Sequence, residues 1–502
     1  MNLEEQAREL TAESGRDELT GAPRTDLPLI TLAGLAAVVL IWVIQMPSSL
    51  WIDELGTFWV IDGDLASTAS RAWRFHGQTP LYYTMLWGVT RLLGESEVVL
   101  RLPSLLSMLA TAFLLYRFAG RLFGQGAAIV ALAIFVVYPN VGIYAADARP
   151  YALAVLATLI ATMLLESWLR TFERKHAVFY GLAAAAVVYV HYVFASILVA
   201  HVLFFAWVMY RSGANQRRRL WTGGLLAAAV LLVAIAPTFS QVANLLGRSD
   251  ELVFSNVALP TMVAIWAPPV AAVALVGTVM FIAGRGGRFR KVPPDPLILL
   301  GLGFVTPPLV LFILGLVSDI DLWTSRYWFV AAPFGAMLFG VIMAAGLRKS
   351  SSIKLVTLAL LLVGMLTSTS FEHSAEDWRS AMSAVNAITA EDTPLLLFSN
   401  LIELGTPEFL IDPEKRSYVT SPLAYYSVEA SVTPLPLTAY ADREDRLVPI
   451  LAALPSSEPV AVVANREVGT VSFISGWFSA NGYDMAEFKT FGALQVAKFV
   501  PH

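Results

Sequence analysis

Residues 27–55 read LPLITLAGLAAVVLIWVIQMPSSLWIDEL. The run from Leu27 to Met46 carries no charge, and about 20 apolar residues are what a helix needs to cross the hydrocarbon core of a bilayer. Pro47 ends the run, and Asp53 and Glu54 follow within a few residues, beside Trp51. The stretch reads as a membrane span with two adjacent carboxylates at its mouth. A charge at the bilayer centre costs roughly 2.5–3.5 kcal/mol on insertion scales, so charges beside a span mark its edge or serve a purpose there. Taken alone, the pair supports both readings: a boundary marker, or a base for chemistry at the lipid–water boundary.

Composition widens the first inference to the whole chain. Its 502 residues are 57% hydrophobic and 14% charged, with a mean hydropathy of +0.64. Soluble domains carry about 25% charged residues, so this is an integral membrane protein. The net charge of −4 says little about partners, and no basic stripe with interleaved aromatics points to nucleic acid. The chain has no cysteine, which excludes disulfides, thiolate metal sites and cysteine nucleophiles. Residues 1–26 are polar and mixed in charge, unlike the short basic start of a cleaved signal. They read as a cytoplasmic tail before an uncleaved first helix.

Ten more apolar runs follow Leu27–Met46: Leu102–Phe118, Ala127–Tyr144, Tyr151–Leu169, Ala177–His191, Phe194–Met209, Leu220–Pro237, Ala267–Ile282, Leu297–Val317, Tyr327–Gly346 and Ile353–Thr369. That makes about eleven transmembrane helices. Pro80–Leu93 is left out because it is short and carries Arg91; it reads as a helix lying along the membrane surface. With Met1 inside, every alternate loop is basic, from Arg117 and Arg121 through Arg217, Arg218 and Arg219 to Arg348 and Lys349. That alternation satisfies the positive-inside rule. The acids and unpaired arginines then share the outer side, in the loop 47–101, in residues 145–150 and in residues 318–325. The longer loop Thr238–Trp266 also faces outward and reads as a gate beside a lipid groove.

Past Ser370 the chain is Pro-rich and no longer membrane-like. Pro394–Ser399 and Val460–Ala464 read as buried strands, Ser374–Ile388 and Val468–Ala480 as helices, and Tyr483–Val500 as two strands around Gly492. The expected fold is an all-α polytopic membrane bundle with a small C-terminal α/β domain. The expected division is a tail at 1–26, a transmembrane catalytic domain at 27–370 and an extracytoplasmic domain at 371–502 that recognises the acceptor.

Several short motifs follow the acidic pair in order. They are His76-Gly77-Gln78-Thr79-Pro80-Leu81-Tyr82-Tyr83, Arg101-Leu102-Pro103-Ser104, Arg121-Leu122-Phe123-Gly124, Asp147-Ala148-Arg149-Pro150-Tyr151, His191-Tyr192 and Arg326-Tyr327. Each is weak alone. The set in this order resembles the GT-C glycosyltransferases, in the branch that includes protein O-mannosyltransferases and the aminoarabinose transferase of lipid A. The resemblance covers about Leu27 to Thr369 and implies a plasma-membrane enzyme. Such an enzyme takes a sugar from a polyprenyl-phosphate carrier and passes it to a hydroxyl of a glycan, lipid or protein on the outer face.

Site roles follow from that implied reaction. A hydroxyl must lose its proton as it attacks, which calls for a carboxylate within reach. Asp53 matches the first acid of the family's pair and is the candidate base. Glu54 and Asp147 are candidates to orient the acceptor or shape the local charge. The departing lipid phosphate gains negative charge, which fixed cationic donors stabilise. Arg149, His191, Arg326 and Tyr327 are the candidates for that task. The plainer readings are an arginine snorkelling to headgroups and a histidine packed in a core. His76 and Tyr151 are candidates to meet the acceptor or shape the site. Arg101 reads as an anchor at the start of the second span, and Trp51, Trp73 and Trp323 as an aromatic belt. A divalent cation is left open, since Asp53, Asp147 and His76 could hold one only if three loops met. The rival readings are a lipid-linked glycan ligase and a flippase or transporter. The acid pair after the first helix argues against the former, and nearly charge-free spans argue against the latter.

Overall fold

The computed structural model describes residues 29–74, 79–246, 294–317 and 322–346, residues 357 and 359, and, with short breaks, 374–502. Helix α1, Leu29–Gln45, stops just before Pro47. The stretch expected as an outer loop is folded instead. It holds α2 (Ile52–Ile61), α3 (Leu65–Arg74) and α4 (Leu81–Leu93). Nine of the ten α2 residues are buried, so α2 is an interior helix with its acids at the first turn. Arg71 closes its far end by donating to the carbonyl oxygens of Trp59 (2.7 Å) and Asp62 (2.5 Å), where a cation also suits the helix dipole. On α4 the buried residues are Tyr82, Tyr83, Leu86 and Thr90, one stripe of an amphipathic helix. At 13 residues it is too short to span a bilayer.

The next helix, α5, runs over 27 residues, Glu97–Phe123. It begins earlier than the apolar run because the Ser96 hydroxyl caps it, accepting from the Val99 amide. The expected span Ala127–Tyr144 is broken into α6 (Gln125–Val137) and α7 (Pro139–Ala145). Pro139 explains the break: it offers no N–H to continue α6 and suits the first position of a new helix. After these come α8 (Tyr151–Thr171), α9 (Arg174–Val190), α10 (Ile197–Arg211), α11 (Ala214–Ile235), α12 (Phe239–Leu246), α13 (Pro294–Val317), α14 (Ser325–Trp328) and α15 (Ala332–Gly346). Among the described residues, six helices are long and apolar enough to cross a membrane. Large apolar side chains such as Phe113, Val202, Leu225 and Val317 face outward on them, as a lipid surroundings allows. The expected span Ala267–Ile282 lies outside the described residues, as does all of Ile353–Thr369 except residues 357 and 359.

The C-terminal part holds a five-stranded sheet in the order β2-β1-β3-β5-β4. Strands β1 (Pro394–Phe398), β2 (Ser431–Pro434) and β3 (Val460–Asn465) pair in parallel, and β4 (Tyr483–Phe491) and β5 (Leu494–Pro501) add an antiparallel hairpin. Strand β3 is buried along its whole length, the mark of a strand covered on both faces. Helix α16, Trp378–Ile388, packs on one of them. Its Trp378, Ala381, Met382 and Val385 share one buried cluster with Leu50, Leu55 and Trp59 and with Tyr82 and Tyr83 of α4. The C-terminal domain therefore sits on α2 and α4, at the end of the bundle where α1 finishes and α5 and α8 begin. Arg121 and Arg170, which pair with Glu166 at 2.5 and 3.4 Å, mark the opposite end.

Candidate active site

Adjacent residues on a helix point about 100° apart, and Asp53 and Glu54 meet different surroundings. Glu54 is fully buried. Its Oε1 accepts from Arg101 Nε (2.7 Å) and from the Ala148 amide (2.7 Å). Its Oε2 accepts from Arg101 Nη2 and from the Trp51 amide (3.2 Å). Arg101, also fully buried, donates further to the carbonyl oxygens of Met46 (2.8 Å), Ser48 (2.7 Å) and Ser49 (3.0 Å). Both Glu54 oxygens are thus occupied twice over. Of the two roles expected for Glu54, orienting the acceptor would need a free oxygen and shaping the local charge would not; in this geometry it is a strut between α5, the linker after α1 and the loop before α8. Arg101 anchors more than its own helix, for the same reason.

Asp53 turns the other way and keeps its side chain 22% exposed. Its Oδ2 lies 3.3 Å from Arg326 Nη1 and 3.9 Å from Arg149 Nη2. Arg149 comes from the short loop between α7 and α8, and that loop is tied to the start of α2 residue by residue. Asp147 Oδ1 accepts from the Trp51 indole (3.2 Å), the Ala148 amide donates to Glu54, and Arg149 Nη1 donates to the Asp53 carbonyl oxygen (3.2 Å). The Ser104 hydroxyl holds the Arg149 carbonyl from α5 (3.2 Å). Thr57, one turn along α2, stands 3.5 Å from Arg149 Nη1 and donates to the Asp53 carbonyl (3.1 Å). Nothing in the sequence had singled Thr57 out.

Three aromatic rings and a histidine form the wall beside the two arginines. His191 caps the end of α9 and is buried, with its ring 5.5 Å from Tyr151, 5.1 Å from Phe194 and 5.6 Å from Tyr327. Among the described residues, neither of its ring nitrogens has a hydrogen-bond partner. An unsatisfied buried polar group costs about 1–3 kcal/mol. Arg149 lies over the Tyr151 ring at 6.0 Å and Arg326 over Tyr327 at 5.2 Å, within cation–π range. Tyr83 of α4 belongs here too. Burial pushes its phenol well above the ordinary value, and the charges of Arg149 and Asp53 act on it. It is a protonated donor at neutral pH.

The structure thus gathers Asp53, Arg149, Tyr151, His191, Arg326 and Tyr327 around one site, with Asp147 behind Trp51 at its edge. His76 lies outside the described residues. Among the described residues no three His, Asp or Glu side chains stand together as a cation cage. Of the tryptophans expected at the membrane boundary, Trp51 donates its indole N–H to Asp147 and Trp323 packs edge-on against Phe312 at 5.6 Å. The region expected as a gate is described only as far as residue 246, where α12 closes against Trp73 through Gln241 (3.1 Å); residues 247–266 lie outside the described residues.

Next to Arg326 and Tyr327 the chain lines an apolar cavity of about 260 Å³. Phe135 and Tyr138 close it from the α6 side, Phe304 and Pro308 from α13, and Trp328 and Phe329 from the turn after Tyr327. A charged site and an apolar cavity therefore share the segment 326–329.

Residues 77–238, about a third of the chain, match a family model described as dolichyl-phosphate-mannose-protein mannosyltransferase. No curated protein matches the chain in sequence. Among solved structures, ArnT from Cupriavidus metallidurans bound to undecaprenyl phosphate is similar, at 12% identity and a TM-score of 0.55. The match covers 93% of this chain and 97% of that one. The apo state of the same protein gives the same coverage and identity and a TM-score of 0.54. At that identity the likeness is one of fold, and it runs over nearly the whole chain.

Proposed function

We propose that this chain, a membrane glycosyltransferase of the GT-C superfamily, moves a sugar from a polyprenyl-phosphate carrier to a hydroxyl acceptor, with Asp53 as the general base. The observation that carries the reading is the Asp53 carboxylate held between Arg326 and Arg149. In the reaction the acceptor hydroxyl gives its proton to Asp53, and its oxygen forms a bond to the sugar carbon. The bond from that carbon to the phosphate oxygen breaks, and the leaving phosphate takes the electron pair. It departs with one more negative charge than the phosphodiester had. Arg149 and Arg326 face that charge, and the buried His191 ring and the Tyr83 phenol add donors beside it.

The apolar cavity beside Arg326 supports a prenyl carrier, since it has room for the head end of an isoprenoid chain. A relative in fold is bound to undecaprenyl phosphate, which is the same chemistry. The basic ends of α5 and α8 lie opposite the site, which by the positive-inside rule supports an outer-face location for the chemistry and for the domain after residue 371.

Arg326 tests the donor half of the proposal. A hydrogen bond to a charged group is worth about 1.5–3 kcal/mol, which is about ten- to a hundred-fold in Kd. Arg326→Ala is expected to weaken binding of polyprenyl phosphate to the purified protein by that factor. An unchanged Kd would remove Arg326 from the phosphate site.

A further inference from the structure

The linker between α1 and α2 is gripped from two sides. Arg101 takes three of its carbonyl oxygens from within the bundle. The other grip comes from the C-terminal domain. Arg379 Nη2 donates to the Pro47 carbonyl (2.7 Å), and the Tyr426 hydroxyl accepts from the Leu50 amide (3.0 Å). Glu376 Oε2 accepts from the Ile52 amide (3.0 Å) and also from the Trp378 indole (2.8 Å). Ile52 is the first residue of α2 and the chain neighbour of Asp53. The first amides of a helix have no partner within it, and a carboxylate placed there meets the positive end of the helix dipole.

Glu376 is itself held in place. Trp378 is fully buried. The Ala375 carbonyl accepts from the Ala493 amide (2.6 Å), and the β4–β5 turn reaches it only because residue 492 is glycine. Gly492 has φ +60°, and a Cβ there would stand 1.9 Å from the Ala375 oxygen. A rigid turn of the sheet thus carries one carboxylate oxygen to the helix that bears Asp53.

We propose that Glu376 is a positioning residue for sugar transfer. It fixes the first turn of α2 and so aims the Asp53 carboxylate between Arg149 and Arg326. The proposal rests on the reading of Asp53 as the base. The C-terminal domain then acts on the reaction through the base, in addition to any contact it makes with the acceptor. A misplacement of about 1 Å at a reacting group costs on the order of a hundred-fold in rate, so the loss of one well-placed hydrogen bond next to Asp53 reaches kcat.

Transfer kinetics of the full-length protein test it through three variants. Glu376→Ala removes the acceptor oxygen and is expected to lower kcat by about ten-fold or more, with the donor KM within about two-fold of the parent. Glu376→Gln keeps a carbonyl oxygen with two lone pairs, and its kcat is expected within about three-fold of the parent. Glu376→Asp keeps the charge but draws the oxygen back; if the alanine variant does not fold, it gives the same reading, with kcat lowered and the donor KM held. A parental kcat for the alanine or aspartate variant, or a glutamine variant as slow as the alanine one, overturns the proposal. A second readout does not depend on catalysis. The chain has no cysteine, so Asp53→Cys carries a single thiol. Its labelling rate by a water-soluble maleimide is expected to change several-fold when Glu376→Ala or Glu376→Asp is added, and an unchanged rate also overturns the proposal. Transfer that survives in Asp53→Asn would defeat the base reading instead, and the labelling result would still stand.

Discussion

Asp53→Asn is expected to reduce sugar transfer by about a hundred- to ten-thousand-fold, the range a positioned general base supplies, while the protein still binds polyprenyl phosphate. The side chain keeps its shape and loses its ability to take the acceptor proton. The binding half of the expectation comes from the arginines. Asp53 Oδ2 is shared by Arg326 and Arg149 at 3.3 and 3.9 Å, and a neutral amide there leaves both cations more available to a phosphate. Initial rates from a labelled polyprenyl-phosphate sugar, measured beside the Kd for polyprenyl phosphate on the same preparation, check both parts. A parental rate would remove Asp53 from the mechanism. A matching loss of donor binding would make it a structural residue.

Arg101→Met is expected to cost the most stability of any substitution near the site. It leaves the Glu54 carboxylate buried with two of its four donors gone and strips three linker carbonyls of their partner. Breaking a buried ion pair from one side costs about 3–5 kcal/mol, against a total stability of only about 5–15 kcal/mol for a folded protein. A large fall in the thermal unfolding midpoint of the detergent-solubilised protein, or loss of the folded fraction, is the expected result. Arg101→Lys is not expected to rescue it, because one ammonium cannot serve two carboxylate oxygens and three carbonyls. The double variant Arg101→Met with Glu54→Leu is expected to recover part of the loss, since no unpaired charge then stays buried. A single variant as stable as the parent would show that the pair does not hold the linker.

These two expectations separate residues that the sequence leaves side by side. An acidic pair at the mouth of a span is legible from hydropathy and charge, and so are the arginines that face it. Which acid meets solvent and which is buried depends on helix phase within α2, and the sequence offers α2 no clean amphipathic pattern because nearly all of it is buried. Sequence alone therefore leaves Glu54 beside Asp53 as a candidate to orient the acceptor or shape the charge, and its pairing with Arg101 sets it apart. The motif around Asp147 was visible, yet its bond to the Trp51 indole joins residues 96 positions apart, and spacing does not encode such a contact. Span boundaries were read from apolar runs alone. Ser96 starts α5 early and Pro139 splits the third run, both through local capping and backbone chemistry. In the C-terminal domain the strands at 394 and 460 and the hairpin around Gly492 were legible from short apolar runs bounded by turn residues. Its grip on α2 was not, because Glu376 and Tyr426 act on backbone amides, which leave no residue-specific trace in the partner segment.

Sugar transfer as proposed needs a lipid phosphate seated against Arg149 and Arg326, within reach of Asp53. An experimental structure of the protein with undecaprenyl phosphate bound tests it most directly. The phosphate is expected within hydrogen-bond distance of both guanidinium groups and of the His191 ring, with the first isoprenoid units between Phe135, Phe304 and Phe329. A lipid found elsewhere on the bundle, with Asp53 and its arginines still paired and no phosphate between them, would contradict it.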